Sequence, residues 1–207
     1  VLLKGLLSAG ELAGLRDETD RLEALSRPGM PGTLFLRRGW FGPKRLSVIY
    51  HVYRQSPPIA QLFYHPVVHG FVGSVLGKDL VYVGGMYMDK KPGVRHDISW
   101  HQDTGFHVDP SAPGPLELYP PAGIPYQTVD DAVASRVLAL QWNLDDQDEG
   151  NGCLRVRPGT HRLGRLAPAA LAKAVAEVPE RVMAMPAGSC VIYFPHLLHA
   201  STINRSR

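Results

Sequence analysis

Apolar residues recur at helical spacing early in the chain and alternate in short runs over most of the rest. In "SAGELAGLRDETDRLEALSRPG", Leu12, Leu15, Leu22 and Leu25 fall on one helical face, and Ser8 with Glu11 forms the S-x-x-E capping pattern. Pro28-Gly29 is the predicted stop. "PPIAQLFYHPVVHGFVGSVLG" predicts one or two further helices, broken near Pro66. From there the period shortens. "DLVYVGGMYMDK", "ISWHQDTGF" and "RVLALQWNLDD" read as strands. "EGNGCLRVRPGTHRLG" reads as a turn, a short strand and a Pro-Gly turn, and "PAALAKAVAEV" as a short helix. "RVMAMPAGSCVIYFPHLLHAST" predicts two strands around the turn Pro186-Ala187-Gly188. Between Val108 and Ala134 lies a long Pro-rich, acidic stretch, expected to be a functional loop.

Helices first and many short strands afterwards predict an α+β, mainly β chain whose body is an antiparallel sandwich or barrel, the class that includes jelly rolls. A single domain is expected over residues 1–207, helical to about residue 78 and β-rich beyond. Composition narrows the classes. Hydrophobic residues make up 44% and charged residues 20%, and the net charge is +3 with no long basic run, which argues against nucleic acid as partner. No stretch reaches the ~18 apolar residues that span a bilayer, so no membrane partner is expected. Cys153 and Cys190 are not a CxxC pair, and a soluble, reducing, cytoplasmic setting is the expectation.

The chemistry begins at "SWHQD". On a strand, residues two apart share a face, so His101 and Asp103 present a nitrogen and an oxygen to one point while Gln102 points away. A third donor would complete the two-His, one-carboxylate arrangement of non-haem Fe(II) oxygenases. Alone, an H-x-D pair is a weak sign of metal, and interior histidines commonly just pack. If "VIYFPHLLHAS" is one strand, His196 and His199 face opposite sides and only one looks inward; Ser201 shares the His199 face.

Three ordered blocks then carry a resemblance: Trp100-His101-Gln102-Asp103; Asn151-Gly152-Cys153-Leu154 with Pro158-Gly159-Thr160-His161; and His199-Ala200-Ser201 with Asn204-Arg205-Ser206. Together they resemble the phytanoyl-CoA dioxygenase family of Fe(II)/2-oxoglutarate oxygenases. The resemblance implies a double-stranded β-helix, a distorted jelly roll. It also implies His101, Asp103 and His199 as iron ligands. Ser201 matches a hydroxyl that bonds the distal carboxylate of 2-oxoglutarate, and Gln141 and Tyr87 are further co-substrate candidates. His161 reads as a turn residue, and Asp145 and Asp146 as the end of a strand. The implied reaction uses O2 and 2-oxoglutarate, releases succinate and CO2, and oxidises a small organic substrate, most simply by hydroxylation. Related halogenases carry Ala or Gly where Asp103 stands, so a carboxylate here points away from halogenation. The family's arginine partner of the co-substrate carboxylate would fall beyond Arg207; Arg205 and Arg207 do not match it. The expectation is a chain incomplete at its C-terminus and short of a few residues at its start.

Phe106, His107, Tyr119 and Tyr126 are candidates to touch the substrate, a small metabolite, natural-product intermediate or acyl derivative. The cations around Trp40 and Phe41 read as a surface turn. The competing reading is a non-catalytic jelly-roll protein that keeps the metal ligands.

Overall fold

The computed structural model describes residues 1–206 except 39, 40, 109, 110, 112 and 120–122; the side chains of His107 and Tyr119 also lie outside the description, as do Trp40 and Arg207. The strands are β1 Leu2–Leu3, β2 Thr33–Arg37, β3 Lys44–Tyr50, β4 Met86–Met88, β5 Ile98–His101, β6 Gly105–His107, β7 Glu117–Tyr119, β8 Ile124–Thr128, β9 Ala139–Asn143, β10 Leu154–Val156, β11 Arg181–Val182, β12 Ser189–Tyr193 and β13 His199–Ser201. The helices are α1 Ala9–Leu25, α2 Pro57–Gln61, α3 Pro66–Leu76, α4 Asp131–Ala134 and α5 Pro168–Glu177.

Helix α1 starts where its capping box requires: the Ser8 hydroxyl accepts from Glu11 N–H, and the Glu11 carboxylate accepts from Ser8 N–H. Leu15, Thr19 and Leu22 form its buried face, and Leu22 packs with Leu46, Ile49 and Val52. Burial of a leucine to 2% exposure stabilises by roughly 1.5–3 kcal/mol. Leu25 departs from the predicted stripe and is 60% exposed, because the helix ends there, at Ser26, one turn before Pro28. The second helical segment breaks as predicted: Pro66 opens α3 at a 53° bend. This pair is apolar because Val68 and Val72 pack on Cys190 and Ile192 of β12. Among the described residues, no single helix is long and apolar enough to cross a membrane.

The β-rich part is antiparallel throughout the described pairings. One sheet has the order β1-β12-β9, a second β11-β10-β13-β5, a third β2-β3-β4 and a fourth β6-β8-β7. Alternation along β12 sets the layers. Cys190 and Ile192 face α3, while Val191 joins Leu154 and Val156 of β10, with Met185 and Leu197, in the core between the first two sheets.

Three expectations are corrected and one hairpin is added. "DLVYVGGMYMDK" is strand only at Met86–Met88, since Tyr82 turns aside to stack edge-on with Phe63 and Tyr53, ahead of Gly84-Gly85. The hairpin of β2 and β3 was not foreseen; its signal is the run "LSVIY". The stretch from Val108 to Ala134 is not a bare loop, because Glu117–Tyr119 and Ile124–Thr128 pair with each other and with Gly105–His107. Finally, "VIYFPHLLHAS" is not one strand. Pro195, with no N–H to give a ladder, lies in a turn closed by Leu197 N–H to Phe194 C=O, and the chain passes from one sheet to the other.

Candidate metal centre

The turn at Pro195 places His199 at the start of β13, directly opposite His101 on β5. Facing residues of an antiparallel pair share a side of the sheet, and the two imidazole centroids are 4.1 Å apart. Asp103 lies just past β5, where its N–H donates to Pro195 C=O at 2.9 Å. Its carboxylate meets both rings: Oδ1 is 3.5 Å from His101 Nε2 and Oδ2 is 3.5 Å from His199 Nε2. The ligand atoms of His101, Asp103 and His199 all lie within 4.8 Å of one another.

Backbone carbonyls orient both rings. His101 Nδ1 is 2.9 Å from Ser99 C=O and His199 Nδ1 is 2.8 Å from Leu197 C=O. A proton held at each Nδ1 leaves the Nε2 lone pairs aimed at the carboxylate, the tautomer a metal requires. Burial holds His199 below the usual histidine range, against the pull of Asp103. Burial also works against the His101 cation, but Asp103 outweighs it and the net shift is upward. The His199 side chain is 9% exposed and those of His101 and Asp103 about 40%, so the cluster opens to solvent on the His101–Asp103 side. Two neutral nitrogens, one carboxylate and an open side fit a non-haem divalent metal.

Gln102 explains the spacing of the motif. Turned away from the cluster, its amide donates to His196 C=O at 2.7 Å and Gly164 C=O at 2.9 Å and accepts from Leu166 N–H at 2.8 Å. It thereby pins the strand that carries both flanking ligands. Gly152 does similar work nearby: its φ is +78°, and a Cβ there would sit 2.4 Å from Thr202 C=O, so only glycine lets the turn before β10 approach the end of β13.

The other predicted residues separate into two groups. Ser201 lies opposite Leu154 in the register that sets His199 opposite Val156, so it faces the core on the side of the cluster; its hydroxyl accepts from Lys90 Nζ. Gln141 pairs with Val191 on the same inner side, and its amide donates to Asn143 Oδ1 at 3.1 Å; Trp142 faces α3 instead. Tyr87, by contrast, points away from the centre. It packs against Leu22, Leu46, Ile49 and Val52, and burial with help from Asp89 pushes its phenol up to about 12. The residues that share the other face of this segment are Met86, Met88 and Lys90, so the co-substrate expectation for Tyr87 is corrected by strand parity. His196 is 5% exposed and its Nε2 is 3.5 Å from Asp131 of α4, apart from the metal donors. His161 stacks on Phe194 in a 3-10 turn. Asp145 pairs with Arg16, and Asp146 caps Ala187 N–H. Tyr126 donates to Glu117 within the small sheet, and Phe41 is 92% exposed.

Two residues were overlooked. Lys90 reaches Ser201, as parity with Met86 and Met88 would have indicated. Tyr193 lies 5.2 Å, ring to ring, from His199; burial, then Asp103, raises its phenol far above the ordinary range. Nothing in the sequence marked it out from its apolar neighbours.

The sequence profile of the phytanoyl-CoA dioxygenase (PhyH) family matches residues 1–207. The chain belongs to the phytanoyl-CoA dioxygenase family. Within and around that family, an ectoine dioxygenase of Nocardia farcinica is 26% identical over 163 residues, covering 78% of this chain and 47% of the relative. An ectoine dioxygenase of Bordetella parapertussis is 26% identical over 174 residues, covering 78% and 46%. The chain thus spans about half the length of the curated relatives it matches. Among solved structures, iron-bound EctD from S. alaskensis superposes with a TM-score of 0.71 at 18% identity, covering all of this chain and 67% of that one. AviO1 from Streptomyces viridochromogenes Tue57 superposes with a TM-score of 0.70 at 19% identity, covering 100% and 83%. For SnoK, a non-haem α-ketoglutarate-dependent carbocyclase from nogalamycin biosynthesis, the TM-score is 0.70 at 18% identity, with 100% and 74% covered. At these identities the likeness speaks to the fold, and the fold is shared.

Proposed function

We propose that the chain carries the catalytic centre of an Fe(II)/2-oxoglutarate-dependent dioxygenase, with His101, Asp103 and His199 as the iron ligands. On this reading the first two sheets are the halves of a double-stranded β-helix, and the protein hydroxylates a small organic metabolite. The observation that carries it is the convergence of two carbonyl-oriented imidazoles and one carboxylate at a partly open site. The relatives named ectoine dioxygenase, and an EctD structure holding 2-oxoglutarate and 5-hydroxyectoine, support both co-substrate and substrate size.

The chemistry supplied by iron in such a centre is the coupling of O2 reduction to decarboxylation of 2-oxoglutarate, with succinate and CO2 as products. The protein's part is geometric and electrostatic. Ser99 and Leu197 carbonyls keep the protons on Nδ1, so both imidazoles bind through Nε2. Asp103 supplies charge and occupies the position a halide would need. The ring of Tyr193, with Val156, Val191 and Leu197 behind it, keeps water from the inner side. Ser201 and Gln141, on the inner faces of β13 and β9, receive the co-substrate. The small sheet that begins two residues past Asp103 carries Phe106 and Tyr126 on opposite faces, and one of the two faces is offered to substrate.

The test is substrate-independent. Protein reconstituted anaerobically with Fe(II) and 2-oxoglutarate is exposed to O2, and succinate is measured. Binding of one iron per chain and slow succinate release that needs both iron and 2-oxoglutarate are expected. Failure to bind iron and 2-oxoglutarate would defeat the proposal.

A further inference from the structure

The outer strands β1 and β11 of the first two sheets flank a cavity of about 500 Å³, lined by Leu2 of one and Val182 of the other. Small-molecule sites are typically ~300–1,000 Å³. The floor is the core between the sheets, where Val156 of β10, Val191 of β12 and Leu197 line the space. Tyr193 lines it too, and its ring lies 5.2 Å, centroid to centroid, from the His199 ring. The cavity thus reaches the His199 side of the metal cluster, whereas the cluster opens to solvent on the His101–Asp103 side.

The rim differs from the floor. Lys4 just past β1, His161 in its 3-10 turn and Arg181 at the start of β11 line the cavity, and among the described residues no carboxylate does. Lys4 and Arg181 are exposed and make no ion pair among the described residues. Glu180, next to Arg181 in sequence, is taken by Arg155 instead. His161 lies flat on Phe194, 5.6 Å between centroids at 10°, and burial, then Arg162, holds it below the usual histidine range. Exposed cations alone are ordinary. Here they border an apolar space, and the combination selects its occupant. A purely apolar molecule would leave the cations unused, and a simple anion would leave the floor in water. The complement is an apolar body with one carboxylate.

We propose that this cavity is a second binding site, for a small amphiphilic monocarboxylate. Its hydrocarbon tail lies against Val156, Val191, Leu197 and Tyr193, and its carboxylate is held at the rim by Lys4 and Arg181. The tail supplies most of the affinity by leaving water, and the charge-assisted contacts fix the direction of entry. No bond is made or broken. The site needs no iron and stands independently of the dioxygenase reading. A bound tail also completes the apolar wall that shields the His199 side of the metal cluster from water.

The experiment titrates the purified chain, without added metal, with decanoate and with decan-1-ol, which share the tail and differ in the charge. Calorimetry gives the affinities and NMR follows the titration of His161. One decanoate per chain should bind at least about 10-fold more tightly than the alcohol, and decanoate alone should raise the pKa of His161. Replacing both rim cations, Lys4→Gln with Arg181→Gln, should bring decanoate to within about threefold of decan-1-ol. Unchanged binding of the alcohol certifies that this variant is folded. Ala184→Trp, which fills the cavity from an exposed lining position, should weaken both ligands at least about 10-fold. Decanoate binding no tighter than the alcohol, an unmoved His161, a preference that outlives both cations, or full binding by Ala184→Trp would each overturn the proposal. So would self-association that Ala184→Trp abolishes and decanoate does not, since the face would then belong to a second copy of the chain.

Discussion

Four histidines of the β-rich part, three of them buried, fall into two sets built for different ends. In the first pair, His101 and His199, each ring gives one nitrogen to a backbone carbonyl and turns the other towards the same carboxylate. In the second, His96 and His196, nothing converges. His96 is 8% exposed, its Nδ1 has no hydrogen-bond partner, and burial, reinforced by Lys90, lowers it to about 4. The His196 ring reaches Asp131, an aspartate more than half exposed. His96, His196 and His199 are all buried, so burial does not distinguish the pairs. What separates a metal centre from a packed histidine is the fate of the second nitrogen and the presence of a shared anion.

Substitution breaks this contrast most sharply at the first pair. His199→Ala should abolish stoichiometric iron binding and lower succinate release by at least about 100-fold, whereas His196→Ala should retain iron; metal analysis of the two purified variants decides the matter. A smaller effect is expected one step along β13. Ser201→Ala should raise the KM for 2-oxoglutarate about 3- to 10-fold by loss of one hydrogen bond, with iron affinity unchanged in equilibrium dialysis.

The second pair should announce itself in stability rather than activity. The folded His96 resists protonation down to about 4, while the unfolded chain takes up that proton near 6.5. Stability from this group is therefore intact above about 6.5, falls as the pH drops from there to about 4, and loses nothing further below. With screening by nearby solvent, the loss between pH 7 and pH 5 should be on the order of 1 kcal/mol. Denaturant titrations at the two pH values should show that difference shrink in His96→Phe. The mildest change is expected on the outer face: Lys91→Met should lower stability by about 0.5–1 kcal/mol through Asp89 and Glu23, and leave 2-oxoglutarate affinity alone. A large affinity loss there would contradict the placement of Lys91 against Asp89 and Glu23, away from the metal donors.

Much of this arrangement was legible in the residues. The S-x-x-E cap started α1 where it should, and the H-x-D spacing with the block at His199 pointed to three residues that the fold brings within 4.8 Å. The rest depended on long-range pairing. No local pattern says that His199 sits opposite His101, because that register is set by Pro195 turning the chain from one sheet into the next. Tyr87 misled for a related reason. Parity alone leaves open which face of a strand looks inward, and only the packing of Leu22 on Ile49 shows that the odd positions of β4 lie under α1. The same ambiguity hid Lys90, whose ammonium group meets the Ser201 hydroxyl. The small sheet from Gly105 to Thr128 was obscured by prolines, one of which, Pro125, sits in the central strand β8 opposite Leu118 and still accepts from Val108 N–H through its carbonyl.

The central claim is that His101, Asp103 and His199 hold one iron. Diffraction at the iron absorption edge from anaerobically prepared crystals tests it directly. The account predicts a single anomalous peak roughly 2.0–2.2 Å from Nε2 of both histidines and from an Asp103 carboxylate oxygen. A peak elsewhere, or none between these three side chains in iron-saturated crystals, would contradict it.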